Sequence, residues 1–193
     1  MPSRFFATAI TIAIAIVVMS APVGMTASYA DTALPEYQVK AAIVYKVAKF
    51  VSWPAASFDT GEASLKLCIA GRDPFGDHID GIEGQIVHGR SLEIQRVDDK
   101  EIPAAGCHIV FVGEESTSIQ LLRTEEIRNV LTVGDSPGFA ANGGMLGLRI
   151  DNNRIRFEVN LDAARDSELE ISASLLQLAT IVTARRADDA LVH

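Results

Sequence analysis

Cysteine, positive charge and metal-binding histidine patterns are what this sequence is short of. Two of its 193 residues are cysteine, Cys68 and Cys107, and neither stands in a C-x-x-C pair. Two isolated thiols make a poor metal site. The four histidines, His78, His88, His108 and His193, show no H-x-x-x-H spacing and share no helix face, so each reads as a structural or surface residue and no metal or cofactor is expected. Lysine and arginine number 17 against 25 aspartates and glutamates, a net charge of −8. A surface of that sign repels phosphate backbones, so no nucleic-acid partner is expected. No G-x-x-x-x-G-K-[ST] loop occurs. Gly143, Gly144 and Gly147 precede a strand rather than a helix N-terminus and read as a bend. The acidic pairs Asp98-Asp99 and Glu114-Glu115 sit in polar connections, where nothing predicts the burial that raises a carboxyl pKa.

A membrane-spanning run is also missing. Phe5–Met19 is apolar and uncharged, but its 15 residues fall short of the roughly 20 that cross a bilayer. Basic Met1–Arg4 precedes it. Pro22, Gly24 and the small-residue spacing of Ser28-Tyr29-Ala30 follow. That layout is a secretory signal peptide over residues 1–30, with a retained anchor as the alternative. Either way, residues 31–193 are expected as one domain outside the cytoplasm, in the periplasm. An even cysteine count in an exported chain suggests a disulfide, with two buried free thiols as the alternative.

From Glu36 the pattern is helical, with Val39, Ile43, Val47, Phe50 and Val51 on one face and Lys40, Lys46 and Lys49 off it as a solvated face. Pro54 should stop this helix near Ser52–Trp53. Strands are expected at Leu65–Ala70, within Gln85–Val97 with a break at His88-Gly89-Arg90, at Cys107–Val112 and at Val130–Val133. Phe75–Ile82 and Ser116–Asn129 read as helices, the first with Asp73 as a possible cap. Met145–Ile150 and Arg154–Val159 flank Asp151-Asn152-Asn153, a hairpin signal. Asn160 can cap a turn of helix over Leu161–Arg165, and Ser172–Arg186 reads as a long closing helix. The order predicts an α/β fold: a mixed sheet sandwiched by helices, with a C-terminal hairpin and a closing helix.

Residues 134–138 read GDSPG, the G-x-S-x-G pattern of a nucleophile elbow. The residue after Ser136 is Pro137, which has no N–H to help hold an oxyanion. One lost oxyanion donor costs about 2.7–4 kcal/mol of transition-state stabilisation. Pro137, Gly138, Gly143 and Gly144 also disfavour the helix that an elbow needs. Ser136 therefore reads as part of a turn, and the chain as a non-enzyme.

Several segments together resemble a known family: Val39-Lys40-Ala41-Ala42, Ala48 to Pro54, Cys68 to Gly71, Asp73 to Gly76, Cys107 to Val112, Gly138-Phe139-Ala140 with Gly143-Gly144-Met145, Arg156 to Leu161, and Ser172 to Ala179. In this order they look like the YfiR-like periplasmic regulators. The resemblance implies an α/β sandwich, often dimeric, that represses a membrane-bound diguanylate cyclase through its periplasmic domain and lowers cyclic di-GMP signalling. It also implies a Cys68–Cys107 disulfide. Some members carry a second cysteine pair near the glycine-rich turn, which this chain lacks. A periplasmic small-molecule-binding module is the alternative function. For partner or ligand contacts the sequence offers Trp53, Phe139, Met145 and Leu148 as an apolar patch, with core placement as the alternative. Arg156 and Glu158 join them from the polar face of the last hairpin strand.

Overall fold

The computed structural model describes residues 33–58, 64–98, 106–114, 128–151 and 154–183. The expected signal peptide and the Ser116–Asn129 helix, apart from its last two residues, lie outside the described residues.

The fold is α/β, built on an eight-stranded mixed sheet. Helix α1 (Ala33–Ala48) opens it. Strands follow as β1 (Val51–Ser52), β2 (Leu65–Ala70), β3 (Ile86–Val87), β4 (Arg90–Val97), β5 (Ile109–Val112), β6 (Leu131–Gly134), β7 (Leu146–Asp151) and β8 (Arg154–Asn160). Helix α2 (Leu161–Asp166), β9 (Glu170–Ile171), α3 (Ala173–Leu176) and β10 (Ala179–Val182) complete the described chain. The sheet order is β10-β8-β7-β6-β5-β2-β4-β3, and β1 pairs separately with β9. Strand β2 is parallel to both β4 and β5, so the chain winds one way from β2 and then reverses. Strands β5, β6 and β7 continue in parallel, and β7 turns back antiparallel into β8.

Strands β5 and β6 are buried at every residue, as expected for strands covered on both faces. On one face, Leu67, Ile69, Phe111 and Val133 join the main core, with α1, Phe75, Leu169 and Leu175. On the other, Cys68, Ala70, Val110 and Val112 pack with Cys107, Val130 and Phe139. Cys68 and Cys107 form the disulfide, their Cα atoms 5.9 Å apart, within the ordinary span for the bond.

Three sequence expectations need correction. The helix expected to reach Ser52 ends at Ala48 because Val51 and Ser52 pair antiparallel with Ile171 and Glu170. Its buried face is also rotated by about one residue. Lys40, Ala41, Val44, Val47 and Ala48 are covered, while Val39 and Phe50 are 49% and 42% exposed. Phe75–Ile82 forms two 3-10 turns, Gly76–His78 and Asp80–Ile82, rather than an α-helix. Gly76 at φ +53° and Gly81 are poor helix residues. The Asp73 cap does form, accepting from the Phe75 N–H at 2.7 Å.

The third correction concerns the closing helix. Ser172 caps α3 as expected, its Oγ accepting from the Leu175 N–H at 3.4 Å. The helix then stops at Leu176, and Ala179–Val182 becomes an edge strand parallel to β8. Thr180, Ile181 and Val182 are β-branched and favour the strand. The ladder from Ala179↔Phe157 to Val182↔Asn160 gives them backbone partners that a solvated helix would not need. Residues 184–186 of the expected helix lie outside the described residues.

Three further local readings hold, the hairpin, the Asn160 cap and the break after Val87. The β7–β8 hairpin forms, and the Asn160 Oδ1 accepts from the Ala163 N–H at 3.1 Å to start α2. His88 and Gly89 take φ values of +51° and +78°, the left-handed pair of a two-residue type I′ turn between β3 and β4.

Candidate ligand cleft and partner surface

Pro54 holds the chain extended after β1, so Trp53 leaves the end of that strand toward the start of β2. Its indole Nε1–H donates to the His108 carbonyl at 3.1 Å. The His108 ring is fixed from both sides: Nδ1 accepts from the Lys66 N–H at 3.0 Å, and Nε2 lies 3.1 Å from the Ser57 carbonyl. A backbone N–H only donates and a carbonyl only accepts, so the proton sits on Nε2. Phe58 stacks on this imidazole at 4.6 Å, and the Arg90 guanidinium lies 3.7 Å over the Phe58 ring.

His88 closes the other side. Its Nε2 faces the carbonyls of Val51 at 2.9 Å and Ala48 at 3.2 Å. Both can only accept, so Nε2 carries the proton and caps the C-terminal end of α1. The His88 ring meets Trp53 edge-on at 6.4 Å. Between them remains a cleft of about 120 Å³, lined by Trp53, Phe58, Leu65, Val87, His88 and Arg90. Its walls are mostly apolar and aromatic, with a guanidinium and an imidazole among them. Such a lining suits a small molecule with a flat apolar body and an anionic group.

The second surface is the outward face of the β7–β8 hairpin. Arg149 stands directly opposite Arg156, and Asp151 opposite Arg154. Like charges facing across a ladder repel, and each of the first two arginines leans to an acid instead. Arg149 Nη1 lies 3.7 Å from Glu158 Oε1, and Arg156 Nε lies 3.9 Å from Asp151 Oδ2. Both distances exceed hydrogen-bond length, so these are loose pairs. The Arg156 side chain is 55% exposed and that of Glu158 is 16% exposed.

The other contact candidates lie inside. Phe139, Met145 and Leu148 are all buried and offer a partner no surface as they stand. Phe139 is wedged between backbones: a Cβ at either Gly134 or Gly144 would come closer than 3.0 Å to its ring. GDSPG leads into this wedge. After β6 the chain makes turns through residues 137–143, and the Phe139 N–H donates to the Ser136 carbonyl at 3.1 Å. Turns stand where an elbow needs its helix. Of the six candidates, Arg156 and Glu158 share one face of β8. Trp53 lies near β2, with β7, β6 and β5 between β2 and β8 in the sheet.

Lys40 is a residue whose environment the sequence misjudged. Its side chain is 5% exposed and bonds the Asp135 carboxylate at 2.8 Å and that of Glu36 one turn earlier. Asp135 itself is 1% exposed. Burial pulls the Lys40 pKa down, but the bonds to Asp135 and Glu36 outweigh it and hold the ammonium above its ordinary value. Tyr37 lies beneath, its ring 4.5 Å from Nζ. Burial, then Asp135, push its phenol above the usual tyrosine range. The cluster pins α1 to the carboxyl end of β6. Glu36 and Lys40 at i, i+4 were a visible pair, but Asp135 is 95 residues away and no local pattern points to it.

A family model described as YfiR/HmsC-like matches residues 37–180. This chain belongs to that family. The match begins on α1 and reaches β10, so both surfaces described above fall within it. YfiR/HmsC-like proteins are periplasmic regulators of diguanylate cyclase signalling rather than enzymes, and the membership gives this chain that general role. Among the described residues, no helix is long and apolar enough to cross a membrane.

Proposed function

We propose that this protein, delivered by its signal peptide, binds the periplasmic domain of a membrane-bound diguanylate cyclase and holds the enzyme inactive, lowering cyclic di-GMP in the cytoplasm. The observation that carries this reading is the YfiR/HmsC-like match across nearly all of the described fold. Repression needs only preferential binding to one state of the target. Moving a two-state partner from mostly on to mostly off takes about 5.5 kcal/mol of differential affinity. Arg156 and Glu158 are the proposed polar contacts, and Trp53 is the aromatic one. Phe139, Met145 and Leu148 act through the core that supports them. Deleting the gene is expected to raise cyclic di-GMP and surface attachment, and the purified protein is expected to retain the cyclase's periplasmic domain. Arg156→Glu should weaken that complex by roughly tenfold, the scale of one interface arginine, while leaving the melting temperature unchanged. Unaltered cyclic di-GMP in the deletion strain, with no retention of the domain, would refute the reading.

The cleft beside Trp53 supports a second reading, in which a small anionic aromatic compound binds there. A thermal-shift series with aromatic carboxylates is the measurement. Ligand at 100 times its Kd adds about 2.7 kcal/mol to folding stability. A rise in melting temperature that Trp53→Ala removes is expected, and a flat response across the series excludes this ligand class.

A further inference from the structure

We propose that the outer face of β7 and β8 is a charge lock for the cyclase's periplasmic domain, in which Arg149 and Arg156 jointly hold one acidic side chain of that domain. This rests on the reading that β8 meets the cyclase. It adds Arg149 and the chemistry of the group received.

The strand register creates the pair. Arg149 and Arg156 are direct partners in the β7–β8 ladder, so their side chains leave the same sheet face from Cα atoms about 4.5–5.5 Å apart. Like charges so placed repel. Each guanidinium is drawn aside, Arg149 toward Glu158 at 3.7 Å and Arg156 toward Asp151 at 3.9 Å, and both side chains stay more than half exposed, at 59% and 55%. Neither pair closes to hydrogen-bond length. Arg154 is exposed and lies two residues before Arg156 on the same face, as strand alternation requires. Three arginines against two acids make this face positive in a chain whose net charge is −8. A carboxylate set between Arg149 and Arg156 accepts N–H bonds from both and removes their repulsion.

The same face names a protein as the occupant. On side chains this exposed, an ion pair with a small free anion gains little. A docked protein excludes the water and makes the same pair worth more. Glu158 argues against a lipid surface. Its side chain lies over Gly147, where a Cβ would stand 3.6 Å from Oε2, and it is 16% exposed. With Asp151 it fixes two negative charges among the arginines, which a uniformly anionic bilayer would meet unfavourably. A protein surface can set an acid opposite the arginine pair and a base beside the acids. Charge complementarity therefore selects a mixed-charge patch on the partner.

Titration calorimetry of the protein against the cyclase's periplasmic domain tests this with Arg149→Gln, Arg156→Gln and the double variant. Each single variant is expected to weaken binding roughly fivefold, and the double variant by less than about tenfold, short of the roughly 25-fold product of two independent contacts. Both side chains are exposed, so the melting temperatures should match the parent's. Arg149→Gln binding as tightly as the parent overturns this inference and leaves docking through β8 standing. A double variant weakened by the full product also overturns it, because the arginines then hold separate groups. So does parent binding to phosphatidylglycerol vesicles that the double variant loses, since the occupant is then a lipid. A parent that does not bind the domain at all removes the docking reading, and this inference with it.

Discussion

Phe139→Ala is expected to lower unfolding free energy by about 3–5 kcal/mol. The ring is fully buried and closes the smaller of the two core layers, against the side of the sheet that carries the disulfide. Gly134 at the end of β6 and Gly144 just before β7 leave their Cβ positions empty so that the ring can lie between the two backbones. Few side chains can shift into a space bounded by main chain, so the cavity should stay open and the cost should fall toward the upper end. The complementary change, Gly144→Ala, overpacks the same space and should cost about 1–3 kcal/mol. Placed together, the two should cost less than their sum, because the added methyl occupies part of what the ring vacates. Denaturant unfolding of the two single variants and the double variant measures the coupling. If Phe139→Ala keeps the parent's midpoint but loses the cyclase domain, the ring is a contact residue and its core placement is wrong.

The same residue shows what the sequence could and could not disclose. Phe139 follows a Ser-Pro-Gly turn and precedes a Gly-Gly bend, so its local conformation was readable from turn chemistry. Whether a phenylalanine in such a turn points outward or inward depends on strands that end 5 residues before it and begin 7 residues after it, and no local pattern encodes that. Strands β2, β5 and β6 were legible because short apolar runs bounded by glycine have few other uses. The β7–β8 hairpin was legible from its alternation and its Asp-Asn-Asn turn.

Helix faces were harder. In α1, apolar residues occur on several sides: Val39, Ala41, Ala42, Ile43, Val44, Val47 and Ala48. Periodicity alone could not choose between the face through Val39 and Ile43 and the one through Lys40, Ala41, Val44 and Val47. Tertiary packing decided it: Ala41, Val44, Val47 and Ala48 join the core, and the lysine on the same side is buried with Asp135 as its partner. The stretch from Ser172 carried leucines at helical spacing followed by Thr-Ile-Val-Thr. The β-branched run was the competing signal, and it prevails because β8 presents an open edge. Of the contact candidates, the charged pair on β8 was legible from strand alternation. The cleft at Trp53 was not, because Phe58, the His88–Arg90 turn and His108 come from three separate segments.

Lys40→Met is expected to destabilise the fold by about 3–5 kcal/mol, the usual result of leaving one member of a buried ion pair without its partner. The methionine keeps most of the stem volume, so lost packing contributes little, and the cost falls on Asp135, which is 1% exposed and loses its 2.8 Å donor. Replacing both members, Lys40→Met with Asp135→Leu, should recover most of the loss, because neither side then buries an uncompensated charge. The parent protein should also show an alkaline limb that the single variant shows less steeply. The Lys40 pKa is raised by folding from its ordinary 10.5, so the folded state holds this proton more tightly than the unfolded chain. Stability from it is complete below about pH 10.5 and declines as pH rises toward the folded value. The Tyr37 phenol, also raised by folding from 10.0, acts with the same sign over an overlapping window and remains in the variant. Urea midpoints measured from pH 8 to pH 11.5 should therefore fall in the parent from about pH 10 upward, and fall less in Lys40→Met. Identical alkaline slopes in the two proteins, or a single variant as stable as the parent at pH 8, would place Lys40 in solvent and remove the link between α1 and β6 that it is held to supply.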